Sequence, residues 1–140
     1  MTSMTPQARS WLAIAAVVGA VGVALGAFGA HGLADRLADL GYKADEIARR
    51  IDVFETATRY QLVHALALGL VSAVLDRMPS RAVRLSAWAF LAGVVVFSGL
   101  LYVLTFAGPD WRWLGMVVPL GGMAMIAGWV SLAVAAWRDS

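Results

Sequence analysis

At 140 residues, with 61% hydrophobic and only 14% charged side chains, the chain is too apolar for an ordinary water-soluble domain. Eleven Lys and Arg against nine Asp and Glu leave a net charge of +2, a small surplus and not the basic stripe of a nucleic-acid binder, so no nucleic-acid partner is expected. The absence of cysteine removes disulfides, thiolate metal sites, iron–sulfur clusters and thiol nucleophiles together.

In chain order, the first predicted element is a membrane span over about 11–33. Trp11 to Leu33 carries no side chain charged at neutral pH, and as a helix at ~1.5 Å per residue it covers about 35 Å, more than a hydrocarbon core. Arg9, the apolar run and Ala27-Phe28-Gly29-Ala30 also look like a cleavable leader, but the apolar core is longer than a usual leader's, so a retained span is expected. Gly19, Gly22, Gly26 and Gly29 recur at spacings of three and four, with Ala15 a turn earlier, and a helix gathers them into one seam of small residues. Such a seam lets backbones approach in lipid, which predicts tight packing within the chain or between copies. His31 follows the seam by two residues, about 200° round the helix and on its opposite side.

The stretch at about 34–54 is a predicted amphipathic interfacial segment whose charges continue to Arg59. Ile47, Ile51, Phe54 and Thr58 recur at helical spacing, and Glu46/Arg50 and Glu55/Arg59 are i,i+4 pairs of the favourable order. Asp45 is placed to cap this helix, and Gly41 to separate it from a shorter turn holding Leu33, Leu37 and Leu40. The segment is expected to lie along the membrane surface or to cover the end of the bundle. The apolar run Tyr60 to Leu75 is short for a bilayer, and makes a second span, about 55–75, only if the preceding helix continues into it. Tyr60, Gln61 and His64 share one face at its entrance.

Pro79 and Ser80 lead to a third span, about 85–107, with Ser98, Tyr102 and Thr105 as a polar stripe. Gly108-Pro109-Asp110 leads to a fourth, about 113–137, where Pro119 among Gly115, Gly121, Gly122 and Gly128 predicts a kink or local break. Trp11, Trp88, Trp111, Trp113 and Trp137 fall near span ends, where amphipathic rings favour the headgroup layer. Backbone groups in lipid must be satisfied internally, so the spans are helices. The fold class is therefore all-α: an integral membrane four-helix bundle with an amphipathic interfacial helix between the first and second spans, one domain over 1–140. Arg77, Arg81 and Arg84 in the short second loop favour both termini in the cytoplasm, although six basic residues lie on the other side.

No carboxylate lies within a span, and there is no zinc signature, nucleophile elbow or phosphate loop, so neither an enzyme nor a metal site is expected. Asp52 and Glu55, near His64 in sequence, read as a solvated helix face. Polar groups inside a membrane usually face the bundle interior, so His31, Tyr60, Gln61, His64, Ser98 and Tyr102 are expected to form a hydrogen-bonded interior that fixes helix register. Two alternatives use the histidines: a small channel or carrier for protons, metal ions or small solutes, or haem held between the His31 and His64 imidazoles. A bundle this small is not expected to bury its glycine seam alone, which points to a homo-oligomer or a membrane-protein partner within the lipid bilayer.

Four motifs carry a family resemblance: Gly26-Ala27-Phe28-Gly29-Ala30-His31-Gly32-Leu33; Tyr60-Gln61 with His64-Ala65-Leu66-Ala67-Leu68; Phe97-Ser98-Gly99 with Leu101-Tyr102; and Pro119-Leu120-Gly121-Gly122 with Gly128-Trp129. Over nearly the whole chain they resemble the YgdD-like family of small bacterial inner-membrane proteins, a family of unknown function related to eukaryotic small transmembrane proteins. The resemblance implies four spans in the plasma membrane and no established activity. Leu100 and Val118 stand where the family pattern implies Ser and Thr, and each change removes a hydroxyl from the polar interior.

Overall fold

The computed structural model of the chain describes residues 4–138; the first three and last two positions of the 1–140 unit lie outside this part. Helix α1 runs Pro6–His31 and begins before the predicted span, because Thr5 accepts a hydrogen bond from the Ala8 N–H and Pro6 occupies the first turn, where its missing N–H costs nothing. A short return helix, α2 (Leu33–Asp39), closes at Gly41, whose φ of +85° lies in the left-handed region that favours glycine. Helix α3, Ala44–Arg77, is a single element, so the amphipathic stretch and the short apolar run are one rod of about 50 Å at ~1.5 Å per residue. Asp45 does not cap it: Lys43 precedes the helix without a side-chain cap, and Asp45 and Glu46 lie in the first turn, where negative charge complements the helix dipole.

Helix α4, Arg81–Gly93, starts at Ser80, whose hydroxyl accepts from the Val83 N–H at 3.2 Å. It passes through a π-helical turn, Val94–Ser98, into α5, Gly99–Phe106. A 3₁₀ helix, Pro109–Met116, then leads into α6, Val118–Arg138. Pro119 is the second residue of α6, where no intrahelical N–H is needed, and the change of helix type comes just before it at Val117. Four helical stretches are long and apolar enough to cross a membrane: Pro6–His31, Ala44–Arg77, Arg81–Phe106 and Pro109–Arg138. With no strand among the described residues, the architecture is an all-α four-span bundle.

Helix α3 is the central element, packed by α1, α2, α4 and α5, while α6 packs against α4 and the π turn. The α1 seam lies antiparallel on α3. Gly19 faces Ala65, Gly22 faces Leu62, Gly26 faces Thr58 and Gly29 faces Phe54, and a methyl at Gly29 would stand 3.0 Å from the Phe54 ring. The glycines thus bring α1 against α3 of the same chain. The tighter approach is elsewhere. A methyl on Gly121 would run into the backbone of Phe97 in the π turn, and one on Gly128 would come within 2.5 Å of the Phe90 ring.

Apolar cores occupy both ends. At one, Trp11, Leu68, Val71, Leu75, Val83 and Phe90 are buried together, and the Ser72 hydroxyl donates to the Ala8 carbonyl at 2.7 Å. At the other, Leu33 and Leu37 of α2 close over Phe54, with Ile47, Ile51 and Tyr102 packed around them, so α2 covers that end of the bundle.

Candidate functional site

The polar residues lie on α3 and the third span between these two cores. Gln61 is buried and bridges three helices: its Nε2 donates to the Val18 carbonyl of α1 at 2.9 Å, and its Oε1 accepts from the Tyr102 hydroxyl of α5 at 2.9 Å. The same Tyr102 oxygen lies 3.1 Å from the Thr58 hydroxyl, which itself donates to the Phe54 carbonyl at 3.0 Å. The receiving carbonyl at Val18 sits where the glycine seam brings the α1 backbone close to α3. The chain Tyr102–Gln61–Val18 is closed, with the two buried amide atoms of Gln61 both engaged.

His64, one turn further along α3, is buried in an aromatic box. Its Nδ1 donates to the Tyr60 carbonyl at 2.8 Å, while its ring lies 5.4 Å from Phe90, 6.3 Å from Trp129 and nearly parallel to Tyr60. Its Nε2 is buried without a hydrogen-bond partner, as are the hydroxyls of Ser98 and Ser86. Tyr60 packs on Phe97 of the π turn with 43% of its surface exposed, so it lies on the outer wall of the bundle. The predicted stripe Ser98, Tyr102 and Thr105 therefore does not act as one unit: Thr105 donates to the Leu101 carbonyl, and Tyr102 alone reaches α3.

His31 stands apart from all of these. It is exposed at the end of α1, two residues past Gly29, which faces Phe54; His64 lies ten residues further along α3, about 15 Å at ~1.5 Å per residue. A haem iron needs both imidazole nitrogens within bonding reach, and two histidines on levels this far apart do not fit that group. Among the described residues no group of three or more His, Asp or Glu is placed to hold a metal ion.

A second polar construction caps the bundle near α2. Arg50 donates to Glu46 Oε1 at 2.9 Å and to the carbonyls of Leu104, Thr105 and Ala107 at 2.6 to 3.2 Å, satisfying the end of α5, where helical carbonyls have no partner of their own. Its guanidinium also lies 3.7 Å over the Tyr42 ring, and the Tyr42 hydroxyl donates to the Phe106 carbonyl. The Glu46/Arg50 spacing was readable in the sequence; the role of Arg50 at α5 was not, because its partners are backbone atoms more than fifty residues away.

Four apolar spans, a hydrogen-bonded relay joining three helices and a capped end define a small multi-pass α-helical membrane protein. The chain belongs to the family described as a protein of unknown function, DUF423, whose model matches residues 25–122. It is 35% identical over 129 residues to the UPF0382 membrane protein YwdK of Bacillus subtilis, covering 91% of this chain and 96% of that one. It is 34% identical to the UPF0382 membrane protein SAB0533 of Staphylococcus aureus, covering 93% and 97%. A UPF0382 membrane protein of Haemophilus influenzae is 33% identical, covering 94% and 96%. No solved structure matches.

Proposed function

We propose that this is a non-enzymatic membrane protein whose buried Gln61 and Tyr102 hold its spans in register and whose role is exerted by association within the bilayer, with a second copy or another membrane protein. The observation that carries this is the closed relay Tyr102–Gln61–Val18. Its donors and acceptors are engaged with one another across three helices, which supports a structural use of those groups. The reading places the chain in the plasma membrane, in keeping with the YgdD-like resemblance, and puts both termini in the cytoplasm on the strength of Arg77, Arg81 and Arg84 in the second loop. The amphipathic start of α3 contacts headgroups. Nothing favours a channel or carrier.

Three measurements test the reading together. Reconstituted protein is expected to add no flux of protons, metal ions or small solutes above empty liposomes, and Gln61→Leu is expected to weaken thermal stability in nanodiscs. Specific flux abolished by His64→Ala would overturn the reading. In-membrane crosslinking is expected to capture an oligomer or a partner; a strictly monomeric, partnerless chain would remove the association part.

A further inference from the structure

The hollow beside Arg50 does more than cap a helix. It is a cavity of about 350 Å³ between the start of α3 and the link from α5 to the 3₁₀ helix, with Glu46, Arg50, Leu104 and Arg112 in its wall. A shallower depression of about 150 Å³ shares these four residues and adds Arg49 and Val53. Three guanidinium groups therefore face one carboxylate. That carboxylate is already engaged, because the only ion pair among the described residues joins Arg50 to Glu46. Arg49 and Arg112 are left as exposed forks without an acidic partner.

The level of the hollow in the membrane is set by its neighbours. Arg50 reaches the carbonyls that end the third span, and the uncharged stretch of α3 begins only at Tyr60. Trp111 and Trp113 flank Arg112 and are 52% and 54% exposed, as rings in the headgroup layer are. Leu104 and Val53 supply the apolar part of its wall. Paired guanidinium forks above an apolar wall at this depth match a phosphate joined to acyl chains.

We infer that this hollow binds the phosphate of an anionic phospholipid through Arg49 and Arg112, with Arg50 fixed as its floor. The inference rests on the reading of the amphipathic segment as a headgroup-layer element, and is independent of the relay at Gln61.

Native mass spectrometry of the full chain, released from nanodiscs of phosphatidylglycerol and phosphatidylcholine, tests it. Arg49→Gln with Arg112→Gln is expected to lower phosphatidylglycerol retention by about 30-fold, one interfacial basic residue being worth roughly a factor of five. Arg81→Gln with Arg84→Gln, on the opposite side of the bundle, is expected to leave retention unchanged. Arg112→Lys, which keeps the charge but not the fork, should give an intermediate loss with an unaltered melting temperature. Equal losses in both double variants would overturn the site, and so would inorganic phosphate competing as well as the lipid, since it would assign the hollow to a free anion. The chain has no cysteine, so a spin label at Asp45→Cys reports depth separately. A label in the headgroup layer with retention indifferent to Arg49 and Arg112 removes the site alone, whereas a label in bulk water removes the placement on which it rests.

Discussion

Gln61 shows why an amide suits the middle of this bundle. It has a donor end and an acceptor end, and here one reaches a backbone carbonyl on α1 while the other receives a phenol from α5. Tyr102→Phe should lower stability in nanodiscs by about 0.5–2 kcal/mol, the usual range for an interhelical hydrogen bond in lipid, as read by thermal or denaturant unfolding. The sequence placed Tyr60, Gln61 and His64 on one face but could not divide them. Helical spacing gives an angle about the axis; it does not say that Gln61 turns towards α1, that His64 enters an aromatic box with Phe90 and Trp129, or that Tyr60 faces outward. His31 was the least legible, because its place depends on where α1 stops, and it stops at His31 itself.

Among the elements, α4, the π turn and α6 depend on glycine most. Gly121→Ala should cost about 1–3 kcal/mol, because the added methyl meets the backbone of Phe97, which cannot rotate away. Gly69→Ala, with nothing within 4 Å of the new methyl, should be neutral or slightly stabilising by virtue of alanine's higher helix propensity. Comparing unfolding of the two variants separates close packing from a general intolerance of side chains. Arg50→Ala should leave three carbonyls at the end of α5 without their donor and cost about 2–3 kcal/mol, with faster amide exchange over residues 101–107. The α1 seam was legible from spacing, whereas the change of helix type falls at Val117 and leaves Pro119, where a kink was expected, in the first turn of α6. The π turn was not legible, since nothing in Val94 to Ser98 distinguishes its composition from the rest of an apolar helix.

At the scale of the molecule, four spans followed from the solvent: a chain this apolar with charges confined to links and ends has few other arrangements. The length of α3 resolves the shortest of them, because the ionic lead-in and the apolar run form one helix. What the sequence withheld was which span is central. That place falls to α3, the least apolar of the four, because its polar face has partners on α1 and α5 and its greasy lead-in has α2 to cover it.

The central claim, that the polar layer binds the spans to one another, is tested most directly by a double-mutant cycle of Gln61→Leu and Tyr102→Phe on unfolding in nanodiscs. The expected result is a coupling of about 0.5–1.5 kcal/mol between the two positions. Additive effects with no coupling, in variants that still fold, would contradict it.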